Sequence, residues 1–155
     1  MAWSDSRWFI SLVKDALDNT SAIDLGSDTP KIALFDNSIT PDRTVSSANS
    51  AYAAGVWASG GVSDATGWPA AGRPLVSATW TQSSGTATYD ANDTASANSN
   101  TTLSAFYGCL NYDDTLTTPV ADQGISFNYF GGSNSVTAGS ATVVWNASGI
   151  CAITV

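Results

Sequence analysis

Few side chains of this 155-residue chain could do chemistry: two cysteines, Cys109 and Cys151, and thirteen acids against five Lys+Arg. Every acid is an aspartate, and histidine is absent. Histidine is the commonest general base and metal ligand, so Ser–His–Asp and Cys–His constellations are excluded within this chain. Two cysteines without histidine fall short of a zinc site. Asp90-Ala91-Asn92-Asp93 and Asp113-Asp114 look like pieces of a calcium loop. They lack its Asp-x-Asp-x-Asp-Gly spacing and terminal Glu, so turn and cap roles are expected. Two carboxylates can also run a glycosidase, but no spacing here places a pair across a cleft. Gly60-Gly61 and Gly131-Gly132 lack phosphate-loop patterns and are expected as turns. The expectation is no catalytic residue, no metal and no cofactor.

The elements that would carry these residues follow from composition and periodicity. Ser and Thr together number 40, and only 12% of residues are charged. Helices of soluble proteins solvate their outer face with Glu, Lys, Arg and Gln, which are scarce here. Thr, Val and aromatics suit strands, and Asp, Asn, Ser and Gly suit turns. Phe9, Leu12, Val13, Ala16 and Leu17 have helical spacing, with Ser4 or Asp5 as N-cap and an end near Asn19. Lys31–Asp36 reads as a strand covered on both faces. Residues 44–74 read as an insert, a short helix closed by Gly55 and then a long loop. Beyond Leu75 strands are expected at 76–81, 86–89, 103–112 and 125–129, and a closing hairpin pairs 141–145 with 150–155 across Asn146–Gly149. The predicted fold is mainly β: an antiparallel sandwich or barrel of six to eight strands, an N-terminal helix and a short helix in the inserted loop. One domain over residues 1–155 is expected, with 1–8 as a possible N-terminal arm.

The cysteines, both in predicted strands, could be bonded neighbours or two small buried hydrophobes. Trp80 and Trp145 alternate with polar residues inside strands and are expected in the core. Trp3, Trp8, Trp57 and Trp68 lie at the N-terminus or in loops, where large aromatics anchor contacts. With Arg73 they are the expected partner-contact residues, and Arg7 and Arg43 are expected to meet acidic groups on the partner. Flat aromatics can also stack on sugars, so a carbohydrate-binding module predicts Trp57 and Trp68 exposed and coplanar. The net charge of −8 offers no basic stripe for nucleic acid. No apolar run approaches the roughly 20 residues of a membrane span, and no secretory signal is visible. The sequons at Asn19, Asn92, Asn100 and Asn146 are expected by composition alone.

In order and spacing, several motifs resemble small virion structural proteins of tailed double-stranded-DNA bacteriophages, especially those of actinobacterial hosts. These are the helix Trp8–Leu17, Lys31-Ile-Ala-Leu-Phe-Asp36 leading to Ile39-Thr40-Pro41-Asp42, and Tyr89–Asp93. They continue with Leu110–Asp114 leading to Pro119–Asp122, Phe127–Gly132, and Val143–Asn146 before Gly149-Ile150. Residues 46–74 match least. The resemblance implies a non-enzymatic assembly role, as a head decoration (minor capsid) protein or a small tail or connector component. It would be made in the bacterial host cytoplasm and located on the outer surface of the head. Its implied partners are the major capsid protein and its own copies in a small symmetric oligomer, with no nucleic acid and no membrane.

Overall fold

The computed structural model describes residues 3–154. In chain order the elements are β1 (Arg7–Trp8), α1 (Ile10–Leu17), β2 (Lys31–Phe35), α2 (Ser47–Ser50), a 3-10 turn (Gly55–Ala58), β3 (Gly61–Val62), β4 (Arg73–Pro74), β5 (Val76–Ser83), β6 (Thr86–Asn92), β7 (Thr94–Ala95), β8 (Thr101–Tyr112), β9 (Gly124–Gly139), β10 (Thr142–Val143) and β11 (Cys151–Thr154). The fold is mainly β, as the composition predicts. Among the described residues, six of these eleven strands are four residues or longer, within the expected six to eight.

Every strand pairing is antiparallel. A six-stranded sheet runs β1-β9-β8-β2-β3, with β4 also on β2; β11-β6-β5 and β10-β7 form two smaller sheets. The alternation along β2 explains the layering. Ala33 and Phe35 face a core closed by Trp3, Phe9, Leu12, Ile39 and Trp57. Ile32 and Leu34 face the opposite core, where Tyr89 of β6, Leu75, Val143 and Ile150 cover them. The large sheet is thus buried on both sides, by the helical segments on one and the small sheets on the other. This is a sandwich with an extra helical layer, and β2 is covered on both faces as predicted.

Residues 3–8 are not an arm. Arg7 and Trp8 pair with Phe127 and Ser126 of β9, and the Phe9 N–H donates to Ile125 O at 3.1 Å. Trp3 is fully buried, and its indole N–H donates to Asp36 O at 2.7 Å. Its ring lies over Gly108, where a Cβ would come within 2.5 Å of it, so a residue with no side chain makes its seat. Because residues 4–8 follow the sheet edge, Ser4 and Asp5 do not cap α1. The N-cap is Phe9, with no side-chain cap.

Four turn and strand expectations are corrected. Gly131 and Gly132 lie inside β9, not at a turn. From Phe106↔Asn134 to Gly108↔Tyr129, five steps of β9 oppose two of β8, and Gly131 at φ +82° supplies the backbone of that bulge. Asp90 and Asn92 belong to β6, opposite Thr79 and Val76. The Asn146–Gly149 turn forms, with Gly149 N–H donating to Asn146 O at 2.8 Å, but its flanks do not pair with each other. Val143 pairs with Thr94 and Cys151 with Tyr89, because the turn is a corner between two sheets. Finally, Trp80 is not a core residue, at 40% exposed, whereas Trp145 is half-buried and packs against the margin of the second core. β5 and β6 pair as a hairpin, Ser83 opposite Thr86 across Ser84-Gly85.

Candidate interaction surface

α1 is turned differently from its sequence stripe. Leu12 and Asp15 are its buried residues, while Ile10 is 51% and Leu17 82% exposed. Polar contacts set this rotation. The Asp15 carboxylate accepts from Gln123 Nε2 at 2.9 Å and from the Ser47 hydroxyl. Ser21 in turn donates to Gln123 Oε1 at 3.3 Å. A buried acid needs such partners, so the helix presents Asp15 inward and leaves part of its apolar stripe outside.

Between α1, β1 and β11 runs a groove of about 740 Å³. Trp8, Ile10, Val13, Leu17, Ile150 and Ala152 supply its apolar lining, with Arg7, Lys14 and Arg43 around it. An adjoining apolar pocket of about 170 Å³ shares Trp8 and Leu17 and adds Trp80 and Ile153. Trp8 and Trp80 meet edge to face, ring centroids 5.7 Å apart. Arg7 pairs with Asp5 at 3.1 Å, and Lys14 pairs with Asp18. Among the described residues Arg43 has no carboxylate within ion-pairing distance. Thus three of the chain's five cations ring one apolar groove.

Of the five expected contact residues, only Trp8 lies here. Trp3, Trp57 and Trp68 are 0%, 2% and 0% exposed, so their place in the core overturns their contact role. Trp57 and Trp68 also sit in different cores and form no exposed, coplanar sugar platform. The loop reading failed because those segments fold back over the sheet. Arg73 is half-buried, its Nε donating to Ala95 O at 3.2 Å, which ties β4 to β7. Arg7 and Arg43, by contrast, are brought together beside Trp8. Sequence reasoning missed the outward side of α1 and Trp80. The signal for both lay in the hydrogen bonding of Asp15 and in the outer position of β5, neither of which periodicity reports.

No family model matches the chain, and no curated protein or solved structure matches it.

The other chemical candidates have structural work. Cys109 and Cys151 are free thiols. Burial pushes both up, Cys151 to about 12 and Cys109 further, so neither is a thiolate near neutral pH. The Asp64 carboxylate accepts Thr102 N–H at 2.9 Å, Gly67 N–H at 2.9 Å and both Thr66 donors. These bonds, the Thr102 amide foremost, hold it far below the usual carboxylate range and pin the 64–68 loop to β8. Asp114 pairs with Lys31. Among the described residues no group of three or more His, Cys, Asp or Glu is placed to hold a metal ion.

Asp113 behaves differently. It is fully buried; Oδ1 accepts from Thr115 N–H and Oγ1 at 2.9 and 2.6 Å, while Oδ2 has no donor. Burial raises its pKa first, and the Asp28 carboxyl beside it raises it further. A folded-state pKa above the unfolded value contributes stability at low pH that is lost as pH rises through the folded value. Asp113→Asn should therefore gain stability relative to the parent as pH rises from about 4 to about 7. Urea midpoints across that range check this, and a pH-independent difference would refute it.

Proposed function

We propose that this chain is a non-enzymatic structural protein of a phage virion, a capsid decoration or minor capsid protein that binds and stabilises the outside of the assembled head. The α1–β1–β11 face carries this reading. An exposed Leu17 beside Ile10, Trp8 and Trp80, with three cations around them, is a contiguous apolar surface of the kind that marks a contact site. The resemblance of the ordered motifs to small virion proteins supports the setting. A protein that binds only the assembled shell stabilises it by mass action.

The test is the copy number of the chain in purified virions relative to the major capsid protein. A ratio near unity is expected. A ratio far below it moves the protein to the tail or the head–tail connector, and absence from particles overturns the virion reading. Leu17→Asp, on an exposed position, should leave the folding free energy within about 0.5 kcal/mol of the parent while lowering occupancy on particles. Heads stripped of the protein should rupture at lower temperature than decorated heads.

A further inference from the structure

The groove lies between two open sheet edges. β1 is the outer strand of the six-stranded sheet and β11 the outer strand of the three-stranded sheet, and both line it. Among the described residues each pairs on one side only, so alternate backbone N–H and C=O groups on the other side have no ladder partner there. Native edges are commonly protected by charge, proline or a bulge; β11, Cys-Ala-Ile-Thr, carries no charged residue and no proline. An open edge of this kind takes an extended segment, with main-chain hydrogen bonds giving affinity and pockets for alternate side chains giving specificity. The charge selects the segment. Arg7, Lys14 and Arg43 line the groove against one acid, Asp18, in a chain of net −8; Arg7 and Lys14 pair with Asp5 and Asp18, whereas Arg43 makes no ion pair among the described residues.

Building on the docking face argued above, we infer that this groove receives an extended, acidic segment of the partner protein, added as a strand along the free edge of β11. Its carboxylates meet Arg43 and Arg7, and its alternate apolar side chains rest on Trp8 and Ile150. The strand supplies direction and register, and the cations favour acidic over neutral segments and repel basic ones.

The experiment uses the full chain and a fluorescent, capped peptide of alternating Asp and Val, about eight residues, roughly one strand long. Binding is read by anisotropy against two controls: the same peptide with alternate backbone nitrogens methylated, and a Lys-Val version. The Asp-Val peptide is expected to bind, and the methylated twin about tenfold more weakly, since it keeps the charge but loses donors. The Lys-Val version should not bind. Arg43→Gln should weaken Asp-Val binding about fivefold, whereas Arg73→Gln, outside the groove, should not change it. Equal binding of the methylated twin, equal binding of the Lys-Val peptide, indifference to Arg43→Gln, or no binding at all would overturn strand addition. Copy number is scored separately. Particles that carry the protein while the peptide fails keep the docking reading and reject only strand addition.

Discussion

Replacing Trp57 by alanine is expected to cost about 3–5 kcal/mol of folding stability, the range for truncating a large buried aromatic. The indole packs against Phe35 at 5.0 Å, Trp3 at 5.9 Å, and Phe9 and Phe127 each at 6.2 Å. These partners come from β2, the segment before β1, the α1 N-cap and β9, so no single element can shift to fill the space. The loss includes the transfer of the ring to water and the cavity left where four aromatic neighbours stay in place. The pairs with Phe35, Trp3 and Phe9 are edge to face, and such pairs contribute about 0.5–1.5 kcal/mol beyond burial. Urea denaturation should show a lower midpoint with an unchanged slope. A loss below about 0.5 kcal/mol, the surface value, would return Trp57 to the role of an exposed contact. Trp80→Ala provides the internal comparison. Its ring is 40% exposed, so its effect on stability should be the smaller of the two, and its effect on attachment to particles the larger.

That contrast also marks how far the sequence could be read. Strand alternation located β2, β5, β6 and β8, because a period of two is written in consecutive residues. The helical period located the body of α1 and its end within two residues, but not its start, which lies at Phe9 and not at Ser4 or Asp5. What periodicity could not convey is which apolar stripe finds a partner. Phe9, Leu12, Val13, Ala16 and Leu17 form one helical stripe, yet Leu12 is buried and Leu17 is exposed, since Asp15 takes an inward position through residues 32 and 108 positions away. Tryptophans in Gly- and Pro-rich segments suggested surface loops. They are instead plugs, Trp57 on one side of the large sheet and Trp68 on the other. The converse error placed Trp80 in the core, because alternation with Ser and Thr says that a strand has two faces and not that either is covered. Of the candidate site, Trp8, Arg7 and Arg43 were legible as residue types in suitable segments. Their convergence on one groove required the Ile10 N–H to Arg43 O bond of 3.0 Å, a contact that local pattern does not encode.

Asp15 is the position where stability and the docking surface are joined most closely. Its carboxylate connects three parts of the chain: α1, which carries it; α2, which contributes the Ser47 hydroxyl; and the entry to β9, where Gln123 Nε2 donates at 2.9 Å. Gln123 is fully buried, so alanine at 15 leaves its amide group without an acceptor and its desolvation uncompensated. Asp15→Ala is expected to cost about 2–4 kcal/mol, the scale for removing one partner of a buried, charge-assisted network. Asp18→Ala on the same helix removes only the exposed pair with Lys14 and should cost no more than about 0.5 kcal/mol. Ser47 and Gln123 donate to the same oxygen, Oδ2, so Asp15→Asn can keep both acceptor bonds through its amide oxygen and loses only the charge; its loss should fall between these. The consequence extends to the groove, since α1 forms one wall and β1 and β11 form the other side. Loosening the helix should therefore lower attachment to particles at temperatures where the variant is still folded, together with faster amide exchange in α1 than in β8 or β9. Equal costs for Asp15→Ala and Asp18→Ala would show that α1 is held by Leu12 and Phe9 alone, and the orientation of Ile10 and Leu17 toward solvent would then need another cause.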